Sequence, residues 1–312
     1  MKFRRVAFTV VVCLMTVAGV VLVVITGFSW LDRGTRTVAL ASVGGGGDLY
    51  VVEESHSGAP RFHLFRYDQS KEFEEPEVVP VSMLPGCGDG DSVVIEELAY
   101  SEDGVAILGR CSWSDEAHSV WRYRQSENEF HIVESGLDGD IDEMAVVSAE
   151  NFTQVYVTEL AGSDRFCSSL FRRAGADNHE ITLSGAQGVF HNCSAGVWSM
   201  STDPQDGLLA HVRSNSPKGS MMCLISDSDS SSLNCEEIGN VVYGDCEFNP
   251  YSGVYLCFTR VGSGVVADVY DMEEPTKLLA SGVDLNGDIV VPMSATQVLV
   301  VKTGSVDVVE ID

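Results

Sequence analysis

The sequence is poor in positive charge, with 19 Lys and Arg against 46 Asp and Glu in 312 residues. Five of the basic residues (Lys2, Arg4, Arg5, Arg33 and Arg36) lie in the first 36 positions, which leaves 14 basic against 45 acidic from residue 37 onward. Such a surface repels phosphate backbones and anionic headgroups and excludes nucleic acid as a partner. Proline is scarce at 9 residues while 45% of the chain is apolar, which excludes collagen-like and disordered chains. Beyond residue 37 no long segment repeats its apolar residues every 3.6 positions, so helical bundles and coiled coils are excluded too. Cys-x-x-Cys, His-Glu-x-x-His, Gly-x-Ser-x-Gly and Gly-x-x-x-x-Gly-Lys-Ser/Thr are all missing. Zinc, metalloprotease, nucleophile-elbow and phosphate-loop sites of those patterns are therefore absent.

What is present begins with one long apolar run. Residues 1–5 carry three basic side chains, and residues 6–28 contain no charge and many Val, Leu and Ile. At 1.5 Å per helical residue, 23 residues can span a bilayer with some tilt, whereas a cleaved signal has a shorter apolar region of about 7–15 residues. The small-residue cleavage candidate, Ala39-Leu40-Ala41, follows Asp32, Arg33 and Arg36. The run is therefore read as a transmembrane signal anchor. The basic flank places residues 1–5 in the cytoplasm and residues 37–312 outside it, at the cell membrane as a single-pass protein. Residues 29–36 form a short tether. Eight extended residues at about 3.5 Å each keep the domain within roughly 30 Å of the bilayer, so its partner is expected to be a membrane-proximal protein or envelope component.

The remainder is a repeat. An apolar strand ending in a small polar residue, a tight turn and a second apolar strand recur six times, from Val38, Leu98, Ala145, Val197, Cys246 and Ile289. A third strand follows each, beginning at Phe62, His118, Ser168, Met221, Ala267 and Val306. Five of the six have a fourth, beginning at Val78, Phe130, Glu180, Leu233 and Lys277. Such a unit cannot bury both faces alone, but radial packing of copies can. The expected fold is all-β, a six-bladed β-propeller with an incomplete last blade, after one amino-terminal transmembrane helix; the alternative is a β-sandwich or a pair of them. The last unit ends on its third strand, leaving an open edge unless a segment near the amino end completes it.

The phrase of a strand, Ser-x-Asp-Gly, a second strand and then Leu-x-Arg resembles the propeller repeats of the TolB-like and WD40-like families. The element is complete at Ser101 to Gly104 and degraded in the other copies. The resemblance covers the whole of residues 37–312. It implies the fold and a habit of binding proteins, and it transfers no catalytic residue.

Outside the apolar run lie eight cysteines, an even number that fits an oxidising compartment. Opposed residues of an antiparallel hairpin have position numbers summing to twice the turn centre. Cys246 and Cys257 centre on a turn at Asn249-Pro250-Tyr251-Ser252-Gly253, and Cys223 and Cys235 on the polar run 227–232. Strand alternation brings Cys87 to Cys111 and Cys167 to Cys193. The expected pairing is sequential.

Acidic residues gather where one unit passes to the next, notably Asp138, Asp140 and Asp142, and Asp284, Asn286 and Asp288. Closely spaced Asp and Asn oxygens suit Ca²⁺, so these six are the candidate ligands of a structural Ca²⁺. The rival reading is a solvated acidic surface. Asn151-Phe-Thr and Asn192-Cys-Ser are glycosylation sequons. With no cofactor motif and no catalytic motif, the leading function is a membrane-anchored binding or scaffold module. The alternative is a glycan-active or hydrolytic propeller that uses carboxylates at the channel mouth as acid and base.

Overall fold

In the computed structural model, which describes residues 36–311 apart from 57–60, 82–83, 89–92, 113–114, 150–151, 161–167, 175–176, 185–194, 203–206, 215–218, 226–231, 240, 262–263 and 284–288, the chain runs through 23 strands in six consecutive antiparallel groups. The first blade is β1 (Arg36–Val43), β2 (Leu49–Ser55), β3 (Arg61–Tyr67) and β4 (Pro76–Val79). The second is β5 (Val94–Ser101), β6 (Gly104–Arg110), β7 (His118–Arg124) and β8 (Glu129–Leu137). The third comprises β9 (Ile141–Ala149), β10 (Phe152–Leu160), β11 (Ser168–Ala174) and β12 (Asp177–Ser184). The fourth follows with β13 (Ala195–Thr202), β14 (Leu208–Ser214), β15 (Ser220–Ile225) and β16 (Ser232–Gly239). Blade five is β17 (Val241–Asn249), β18 (Val254–Val261), β19 (Gly264–Asp271) and β20 (Leu278–Val283), and blade six has only β21 (Ile289–Ser294), β22 (Gln297–Lys302) and β23 (Ser305–Glu310).

The first strands β1, β5, β9, β13, β17 and β21 touch in that order, and β21 touches β1, so the ring closes. This is a six-bladed β-propeller. Its core is not one cluster but six, each filling one interface between neighbouring blades. On β6, Val105 and Ile107 pack with Tyr50 and Leu64 of the first blade, while Ala106 and Leu108 pack with Met144 and Val155 of the third. Period-two alternation with both faces apolar is what a strand held between two other sheets requires. The ring is sealed by Val43, Leu49 and Val51 against Val291, Leu299 and Val301.

Two details depart from simple repetition. The outer strand of the first blade begins at Pro76, where Pro76 pairs with Tyr67, two residues earlier than the apolar pattern indicates. Proline is tolerated there because it opens an edge strand. Blades three and four are also joined, since β12 and β16 pair in parallel at Thr182 with Ser232 and Leu183 with Leu233.

Among the described residues there are three disulfides, Cys87–Cys111, Cys223–Cys235 and Cys246–Cys257, with Cα separations of 5.1, 4.0 and 4.5 Å. Cys223 stands directly opposite Cys235 across β15 and β16, as the position sum requires. Cys167, Cys193, the asparagines of both sequons and residues 1–35 lie outside the described residues. Among the described residues no helix is long and apolar enough to cross a membrane.

Between blades four and five His211 is fully buried, and neither ring nitrogen has a hydrogen-bond partner among the described residues. Burial first, and then the positive charge of Arg213, push its pKa down to about 3. The folded state therefore refuses a proton that the unfolded chain accepts below about 6.5, so stability is full above that value and falls as pH drops toward 3. At pH 5 the difference amounts to about 2 kcal/mol. Urea unfolding at pH 7 and pH 5 should show this loss in the wild type and its absence in His211→Met; equal pH dependence of the two would contradict it.

Candidate functional site

The inner strands are not regular ladders. On β5 the pairing with β6 slips between Ile95 and Glu97. Similarly, Thr158 of β10 faces two residues of β9, Asp142 and Glu143. Further slips fall beside Trp198 in β13, between Tyr243 and Glu247 in β17, and beside Ala39 in β1. Each is a β-bulge, which adds twist and re-aims the side chains next to it. A bulge also frees a backbone N–H that must find another acceptor. Thr158 Oγ1 accepts from Glu143 N at 3.0 Å and Ser199 Oγ from Cys246 N at 2.8 Å, both in buried surroundings. Thr158→Val should cost about 1–2 kcal/mol by stranding the Glu143 amide, measurable as a lowered urea midpoint at unchanged slope.

The bulged segments line a cavity of about 340 Å³ on the ring axis, to which all six inner strands contribute. Among the described residues the lining includes five acids, Glu96, Glu97, Asp142, Glu143 and Glu247, and no Lys or Arg. Glu96 is held from the blade side: Arg110 donates to its Oε1 at 2.6 and 2.9 Å, and His118 Nε2 lies 2.9 Å from Oε2. Burial pushes the Glu96 carboxyl up, but the contacts with His118 and Arg110 outweigh it and hold the pKa below the usual carboxylate range. Glu96 thus stays ionised at neutral pH, and its share of stability is lost only as pH falls through the acid range.

The opposite end of the channel is obstructed. The turn between β1 and β2 is Gly44 to Gly47, and a Cβ on Gly45 would lie 1.7 Å from the Glu102 carbonyl oxygen of the second blade. A Cβ on Gly47 would lie 2.8 Å from Cε1 of Tyr251, which belongs to the fifth blade. Blades one and five are not neighbours, so that approach crosses the axis. The missing side chains of the four-glycine run let three turns come together at this end.

The sequence-derived ligands are only partly assembled. Asp142 lines the cavity, whereas Asp138 and Asp140 are exposed on the connection before β9. Asp284, Asn286 and Asp288 lie outside the described residues. Sequence reasoning overlooked Glu97, Glu143 and Glu247. Each stands beside a slip in its inner strand's register, which the alternation of apolar residues in the sequence does not reveal. Among the described residues, three metal-ligating groups come together at Glu127, Glu129 and His131, an exposed set on the β7–β8 hairpin. Arg124 and His131 already bind Glu127 there, at 2.9 and 2.8 Å.

No family model matches the sequence, and no curated protein matches it. Solved structures do match. A protein of unknown function from Dyadobacter fermentans superposes with a TM-score of 0.50 at 12% identity, over 89% of this chain and 96% of that one. A protein assigned as TolB from Agrobacterium tumefaciens gives 0.48 at 11% identity, over 88% and 90%. The Dos1 propeller gives 0.41 at 11%, over 84% and 64%. The likeness is one of fold.

Proposed function

We propose that the chain is a membrane-anchored, extracytoplasmic binding module that takes a cationic segment of a membrane-proximal protein or envelope component at the open mouth of its channel. The lining carries this reading. Carboxylates from β5, β9 and β17 converge on one cavity whose described lining includes no Lys or Arg. Fixed carboxylates in a narrow, partly desolvated space favour guanidinium and ammonium groups and repel anions. The disulfides support an oxidising compartment and the uncharged run 6–28 supports an anchor. Protease added to intact cells is expected to remove the domain after Arg36 and spare the amino end; protection of the domain would overturn the topology.

One observation favours a second reading, a glycan-active or hydrolytic site. Carboxylates from different blades share the cavity with Tyr100 and Phe248, and a carboxylate pair beside aromatic rings is what glycoside hydrolysis uses. Hydrolysis of a glycan by the wild type that is abolished by Glu143→Gln, with the cationic partner indifferent to that change, would favour it.

A further inference from the structure

The channel acids stand at three different depths. Glu247 lies two residues before Asn249, Glu97 four before Ser101 and Glu143 six before Ala149, the last residues of their inner strands. Those strands finish at the obstructed end, so the count measures distance from the floor of the cavity. Pairing with the second strand is regular over each interval, because the slips fall at or beyond the carboxylates. Two residues of strand rise about 6.6 Å, so the three carboxylates form a staircase of equal steps, about 13 Å from bottom to top. Glu96 takes no part, since Arg110 and His118 hold it from the blade side.

The tread between the two lower steps is mostly apolar. Leu40 and Leu98, each three residues before its strand end, line the cavity there, and the hydroxyl of Ser199 at that level is engaged by Cys246 N. The floor is different. Tyr100 and Ser201 stand one residue before their strand ends, and both line the cavity. Ser201 is only 4% exposed, and its hydroxyl has no hydrogen-bond partner among the described residues. Buried polar groups are normally satisfied, so an unpartnered hydroxyl facing a cavity marks a place for a ligand's polar atom.

A staircase does not suit a single metal ion. Oxygens that share one Ca²⁺ lie within about 5 Å of one another. Among the described residues, the group of three with metal-ligating spacing is the surface set Glu127, Glu129 and His131 instead. Charges repeated at equal intervals along a narrow channel, with apolar surface between them, complement a chain of the opposite sign with the same repeat.

We propose that the channel takes a linear polyamine, an aliphatic chain whose ammonium groups are separated by four methylenes. An extended four-carbon spacer sets successive nitrogens roughly 6 Å apart, which matches one step. The inner ammonium has three N–H donors and meets Glu247, Ser201 and Tyr100 at the floor. The middle and outer nitrogens meet Glu97 and Glu143, and the methylenes between the first two lie against Leu40 and Leu98. This ligand class rests on the channel's preference for cations and narrows it; a free polyamine competes there with a cationic protein segment.

The test is calorimetric titration of the full chain in nonionic detergent micelles with three probes. Bis(4-aminobutyl)amine carries two four-carbon spacers, 1,9-diaminononane has the same length without the middle nitrogen, and the third probe is a short Lys- and Arg-rich peptide. The triamine is expected to bind the wild type about tenfold or more tightly than the diamine, the worth of one charge-assisted contact. Glu97→Gln, which keeps the side chain's volume, should remove most of that difference. Ser201→Ala should weaken both amines by about fivefold, because the floor contact is common to them. Equal binding of the two amines by the wild type, or a difference that survives Glu97→Gln, would overturn the staircase. Binding of the peptide without the triamine would overturn the polyamine and leave the cation channel standing, whereas failure of all three probes would overturn both.

Discussion

Reduction of the disulfides is expected to unfold the domain at 37 °C. Closed loops of 24, 12 and 11 residues separate the bonded cysteines. Chain-entropy reasoning assigns each cross-link about 3 kcal/mol. Three such contributions are of the order of the whole stability of an ordinary domain, about 5–15 kcal/mol. Both cysteines of the Cys246–Cys257 bond are buried in the interface between blades four and five with Leu209, Met222 and Tyr255. Cys246→Ala with Cys257→Ala should lower stability by about 3 kcal/mol, and Cys87→Ala with Cys111→Ala by a similar amount. Near-ultraviolet circular dichroism during a thermal melt, with and without reductant, measures both. A melting curve unchanged by reductant would mean that the blades hold together without the cross-links.

The second large effect is expected at the glycine turn. Gly45→Ala places a methyl 1.7 Å from the Glu102 carbonyl oxygen and 2.3 Å from its carbon. Those atoms are backbone, so they cannot swing aside, and one blade must move relative to the next. The cost should be about 3 kcal/mol or more. Gly46 supplies the control in the same turn. Its φ is +80° and nothing lies within 4 Å of the point where a Cβ would stand, so Gly46→Ala meets only the left-handed backbone penalty of about 1–2 kcal/mol. Equal destabilisation by the two, measured by urea unfolding, would show that the turn is not packed against the second blade.

Most of the fold could be read from the chain. The recurrence of strand, turn and strand placed all six blades, and the position sums of Cys223 with Cys235 and Cys246 with Cys257 matched hairpin register because a cross-strand pair is a local property. The three strands of the sixth blade were also legible, in the apolar segments that begin at Ile289, Gln297 and Val306. The channel was not. Glu97, Glu143 and Glu247 stand beside slips in strand register, where inserted residues interrupt the regular pleat, and a simple alternation of two cannot say whether the next carboxylate faces water or the axis. The inter-blade acids drew attention because they are dense in sequence. Asp138 and Asp140 show that density is no guide to convergence, for they remain on an exposed connection while Asp142, at the bulge, reaches the cavity.

The role of the four glycines was half legible. A run such as Gly44 to Gly47 announces a turn, and Gly46 and Gly47 do adopt positive φ at 80° and 83°. That Gly45 is needed for approach to a neighbouring blade depends on contacts 57 positions away in sequence, with Glu102.

The channel's preference for cations is tested most directly by titrating a short Lys- and Arg-rich peptide, and an acidic peptide of equal length, against the domain and its Glu97→Gln, Glu143→Gln, Glu247→Gln variant. The cationic peptide should bind the wild type and weaken steeply as salt rises from about 50 to 300 mM, through shortening of the screening length. In the triple variant its affinity should fall at least about tenfold, the acidic peptide should not bind either protein, and the melting temperature of the variant should be no lower than that of the wild type. Equal binding of the cationic peptide to both proteins, with the same salt dependence, would contradict a cation-binding channel and leave the carboxylates as solvated surface.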